Sequence, residues 1–204
     1  MDMITLCAVD AVGLGSLWLP ALVSAVAVFV VSSIIWMALP YHKADIRFLP
    51  DQDAFDRAIG SLDIEPGLYM FPNCSSAEEM KSEAFKARSE RGPWGTLTLM
   101  GSRPSFGMNL VRAFLSYLLV CVLVAYVAGV TLAPGAEYLH VFRVCGTCAV
   151  LGFCTGGLAN DFFLGKPARF VVTGFIDGVV FALVTAGVFA AMWPAPAAPA
   201  LPGT

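Results

Sequence analysis

Two ionisable side chains, Arg143 and Asp177, stand inside otherwise apolar stretches of this 204-residue sequence. A charge in hydrocarbon is costly, so such residues are the first place to seek a proton or ion relay. His140 stands three residues before Arg143, and Arg112 opens the preceding apolar stretch. These four make the candidate intramembrane polar site. At 1.5 Å per residue, Arg143 lies roughly 8 Å from one end of its stretch and Asp177 roughly 10 Å from the opposite end. About 12 Å of depth then separates them across a core of about 30 Å. That spacing favours Glu137 or His140 as the partner of Arg143, and Arg112, Ser116 or Tyr117 as the partner of Asp177. The plainer readings are a snorkelling Arg143 and a helix-locking hydrogen bond from Asp177.

Cys145 and Cys148 form a C-x-x-C, the spacing of a redox pair or half a metal site. Here it lies in an apolar helix, where burial suppresses thiol reactivity. No second C-x-x-C or histidine pair completes a metal site. The two histidines, His42 and His140, fall on opposite sides of the expected topology, which excludes haem held by both. Asp51, Asp53 and Asp56 lack the ligand spacing and turn glycine of a calcium loop and read as a solvated helix face. No nucleotide-binding, nucleophile-elbow or zinc-protease motif is present. The expectation is a non-enzyme without metal or cofactor. A net charge of −3 argues against a nucleic-acid partner.

Small residues at four-residue spacing carry the packing signal: Gly152 and Gly156, Gly174 and Gly178, and Ala125 with Gly129. Such pairs let helix backbones approach closely, within one chain or between copies in a homo-oligomer.

The elements that must position these residues follow from hydropathy. The chain is 58% hydrophobic and 13% charged, with a mean hydropathy of +0.76. Its charges crowd between Lys43 and Arg112. Four apolar runs are long enough to cross a bilayer: residues 17–39, 110–130, 138–158 and 170–193. Trp18 and Trp36 bracket the first, about 27 Å apart along a helix axis, which matches the two aromatic belts. Pro40 stops it. No Lys or Arg precedes it and its apolar run is long, so it reads as an uncleaved anchor rather than a signal peptide. Lys and Arg populate the first loop and the loop with Lys166 and Arg169, and are absent from both tails and the 132–137 turn. The positive-inside rule therefore sets both termini outside. The organisation is a tail and first span (1–40), a cytoplasmic module (41–108), a bundle of three spans (109–193) and a Pro/Ala-rich disordered tail (194–204). The fold class is a membrane all-α protein with a small α+β insertion.

Within the module, Asp51 caps a helix to about Ser61, with Phe55 and Ile59 on one face. Glu65-Pro66-Gly67 is a turn, and residues 68–71 a strand ended by Pro72. Ser75 and Ser76 before Glu78 and Glu79 form a capping box for a helix to about Arg91, and residues 95–100 are a second strand. This unit buries too little to stand alone. Trp94, Phe48 and Tyr41 are expected to rest it on the membrane.

The strings Leu39-Pro40-Tyr41-His42-Lys43-Ala44-Asp45, Leu49-Pro50-Asp51 and Glu65-Pro66-Gly67-Leu68-Tyr69-Met70-Phe71-Pro72 resemble an uncharacterised family of small bacterial four-helix inner-membrane proteins. The run from Ala133 to Tyr138 and on through Phe142-Arg143 is similar too. The resemblance implies a bacterial inner membrane and four spans, and brings no activity. Three functions then compete. The first is a non-enzymatic accessory, scaffold or assembly component, set in the lipid bilayer and meeting a protein partner through residues 41–108. The second is a small oligomeric transporter or channel using Asp177 and Arg143. The third is a membrane thiol protein using Cys145 and Cys148.

Overall fold

Long apolar runs satisfy their backbone polar groups only within a helix, and each of the four runs is helical. The computed structural model describes residues 11–196. The tail at 1–10 with Cys7, and the tail from 197 on, lie outside the described residues.

The long helices are α1 (Leu14–Met37), α5 (Phe106–Thr131), α6 (Tyr138–Val150) and α8 (Ala168–Ala191). Between α1 and α5 come a 3-10 turn (Pro40–Ala44), α2 (Gln52–Gly60), β1 (Gly67–Phe71), α3 (Ala77–Lys81), α4 (Glu83–Arg91) and β2 (Gly95–Leu99). A π turn (Leu151–Thr155) and the short α7 (Leu158–Phe163) prolong α6. The chain is thus mostly helical, with one two-stranded sheet and four helices long and apolar enough to cross a membrane.

The third long helix runs past the expected end at residue 158, to Phe163. Asp161 falls in the first turn of α7, where a carboxylate suits the helix dipole, and it pairs with Lys166 at 2.7 Å. The helix expected to run through to Arg91 instead breaks at Ser82. Ser82 adopts an extended conformation, and its Oγ accepts the Phe85 amide, so α4 starts afresh. Serine competes with the helix backbone in this way.

Helix α1 packs on α5 and α8, and α6 packs on α8 and α5. The core between them holds Leu17, Ala25, Cys121, Val124, Val141, Cys145, Ala182 and Phe189. Three of the small-residue positions are close approaches. A Cβ on Gly152 would meet Val120 of α5 at 2.7 Å, and one on Gly178 would meet the Cys154 Sγ of the π turn at 2.8 Å. Gly129 admits the segment before α1, with the Val12 amide donating to the Gly129 carbonyl at 2.8 Å. Gly174 faces open space, and Gly156 has only its own helix backbone nearby.

In the module, β1 and β2 pair antiparallel, with Tyr69 opposite Leu97. Asp51 accepts the Ala54 amide and Ser76 the Glu79 amide, as capping residues do. The Glu79 carboxylate takes both the amide and the hydroxyl of Ser75, which hold it below the usual carboxylate range. The Thr96 hydroxyl donates to the Leu164 carbonyl, tying the sheet to the loop before α8. Phe48 is 98% exposed and Trp94 67%.

Candidate functional site

Asp177 finds its partners in the segment that follows α1. Leu39 is extended, as a residue before proline tends to be, and Pro40 opens the 3-10 turn at its first position. Three residues per turn put His42 and Asp45 on one side. On α8, Arg169, Thr173 and Asp177 recur every four residues and share one stripe. The two patterns meet. His42 Nε2 lies 2.9 Å from Asp177 Oδ2, and His42 Nδ1 lies 2.7 Å from Asp45 Oδ2. The Tyr41 hydroxyl donates to Asp177 Oδ1. Asp45 also accepts from Thr173 Oγ1 at 2.7 Å and from Arg169 Nε at 2.9 Å. Arg169 donates as well to the Tyr41 carbonyl at 2.8 Å. The Trp36 indole stacks on the His42 ring, with centroids 4.0 Å apart.

The bridge is dry. The side chains of His42, Asp45 and Asp177 are 5%, 0% and 5% exposed, whereas Arg169 reaches outward at 54%. Burial, then the Asp177 bond and the nearby carboxylate charges, hold the Tyr41 phenol protonated far above its usual range. Burial pushes the Asp45 carboxyl up. Hydrogen bonds from Thr173, His42 and Arg169, with the Arg169 charge, outweigh that and leave it below the usual carboxylate range. Chemically, the arrangement offers two imidazole–carboxylate contacts, each of which takes one hydrogen between nitrogen and oxygen. Its carboxylates sit on opposite ring nitrogens, and among the described residues no His, Cys, Asp or Glu group converges as metal ligands would.

The other expected site residues lie elsewhere. The partners expected for Asp177 are replaced: Arg112 bonds Asn109, Ser116 donates to the Arg112 carbonyl, and the Tyr117 hydroxyl pairs with Ser32. Arg143 and His140 are exposed, and Arg143 has no ion pair or side-chain hydrogen bond among the described residues. It edges an outward-facing cleft of about 350 Å³ with Phe142, Val179 and Leu183. Glu137 stands at the start of α6 and does not pair with it. Cys145 is buried, Cys148 partly so, and both are free thiols.

Sequence reading missed His42 and Asp45, which it weighed only as a haem ligand and as part of a resemblance. The signal was present: H-x-x-D behind a helix-stopping proline, and R-x-x-x-T-x-x-x-D in an apolar helix. Comparison with protein-family models, curated proteins and solved structures finds no significant match.

Proposed function

We propose that this chain is a non-enzymatic accessory or assembly component of a bacterial inner membrane, and that its 41–108 module docks a protein partner on the cytoplasmic side. One observation carries the reading. Of residues 43–105, all described, only Gly92 is buried. A two-stranded sheet and three short helices without a core are marginal alone. The module nonetheless presents Phe48, Leu68, Met80, Trp94 and Met100 to its surroundings. A segment of this size without a core of its own gains its burial from whatever covers it. Its charge favours a protein over the bilayer as the cover. Residues 41–108 carry eight Lys and Arg against ten Asp and Glu, whereas an anionic leaflet attracts a net positive segment. The four spans, the positive loops and the sequence resemblance support the compartment and the orientation.

Photo-crosslinking groups placed at Phe48, Leu68 and Trp94 in living cells test this. The reading expects one shared protein adduct from these positions and none from Leu139 or Leu183 on the bundle. Lipid adducts alone, no adduct, or an adduct of two copies of this chain would overturn it.

A further inference from the structure

We propose that Asp45, His42 and Asp177 form a proton-binding site: one shared proton keeps the Pro40–Ala44 turn docked on α8, and its release frees the turn. This inference stands apart from the docking reading. It rests on proton counting in a buried bridge. Each of the two N···O contacts, at 2.7 and 2.9 Å, needs one hydrogen between nitrogen and oxygen. Two protons meet that need in two ways: an imidazolium between two carboxylates, or a neutral imidazole with one carboxyl protonated. With a single proton, one contact sets a nitrogen lone pair against a carboxylate lone pair. In a site 5% exposed or less, water does not fill that gap, and an unmade buried contact is costly. The turn then leaves α8.

Every neighbouring charged or titratable group bears on this proton. From the turn, Tyr41 donates to the second oxygen of Asp177. From α8, Arg169 and Thr173 donate to Asp45. From α1, Trp36 covers the ring face. Lys43, with Trp36, Ile46 and Phe48, lines the open groove that His42 borders, and this groove is the route of the proton to solvent. The oxygens of both carboxylates are occupied by donors on their other sides, so the bridging proton has no competing acceptor among them. Binding adds a proton to the site and no other bond changes. Release returns it to water as pH rises.

Trp36 is the reporter, because a stacked imidazolium quenches indole emission and a neutral or departed ring does not. A chain retaining Trp36 alone (W18F, W94F, W193F) in nanodiscs is expected to show an emission step as pH rises. His42→Gln should remove the step. Asp45→Asn and Asp177→Asn should each move it to lower pH by at least about one unit, a tenfold weaker proton affinity. A parent curve identical to that of His42→Gln, or a step at the parent pH in both Asn variants, overturns the proposal. If the bridge variants fail to fold, nitrogen-15 spectra of His140→Gln decide, since His42 is then the sole histidine. Two bridging protons, one lost together with the Trp36 step, support the site. A neutral ring beside two ionised carboxylates throughout overturns it.

Discussion

Asp177 and Arg143 are both charged residues in long apolar helices, and the fold treats them in opposite ways. Asp177 is buried and shared between His42 and Tyr41. Arg143 lies on the outside of α6 with no polar partner among the described residues. The difference lies in reach. Arginine carries its charge on a long stem and can lay that stem along apolar surface toward water. Aspartate has one methylene, so its partners must be brought to it. A polar turn following a helix end supplies them, and α8 answers with Arg169 and Thr173 on the same stripe. A buried charge in such a helix is therefore evidence of a second segment, not of depth alone.

The largest expected effect breaks or sharpens this comparison directly. Asp177→Ala leaves His42 and Tyr41 buried without their acceptor. It should cost about 3–5 kcal/mol in reversible unfolding from mixed micelles. Arg143→Leu should cost less than about 1 kcal/mol. Equal losses at the two positions would erase the distinction. The α8 glycines offer the next contrast. Gly178→Val drives a side chain into Cys154 and the Phe153 carbonyl, and should cost about 1–3 kcal/mol. Gly174→Ala enters open space and should leave stability equal to the parent or up to about 1 kcal/mol higher, by helix propensity.

A smaller effect concerns pH. The folded state holds Asp45 below the usual carboxylate range. Its contribution is thus present above the unfolded aspartate value, about 3.9, and is lost as pH falls through the lower folded value. The gap in melting temperature between the parent and Asp45→Asn should narrow as pH falls from about 7 to 3 across that value. A constant gap would deny the pairing. The smallest effect is that of Phe48→Ser. The residue is 98% exposed, so stability should stay within about 0.5 kcal/mol. The module crosslinks should weaken all the same.

Much of the scaffold was legible because its signals are local. Ser76 capped α3, with the Glu79 carboxylate reaching back to Ser75, and Asp51 capped α2, since each bond joins residues a few positions apart. The break at Ser82 was not read, because serine after one helical turn fits either a continuing helix or a new cap. Tyr41 was assigned to a membrane surface, whereas its hydroxyl points into the bundle end. For a phenol, sequence carries no sign of which face will be dry. Close-packed Gly152 and Gly178 could not be told from Gly174 and Gly156 by spacing, because all four share it. Which backbone passes over each one depends on the neighbouring helix.

Sequence by itself determined that four apolar segments form long helices and that a polar segment separates the first from the rest. Hydropathy over some twenty residues is a property of the segment alone. Only the tertiary structure decided where Asp177 finds its proton partner. His42 lies 135 residues away in the chain, and the pairing required α1 and α8 to pack side by side and end together. It also required a proline-started turn to bring the imidazole back beneath them. A charge so buried persists only where such distant groups arrive together, and neither local pattern, H-x-x-D or R-x-x-x-T-x-x-x-D, records that the two meet.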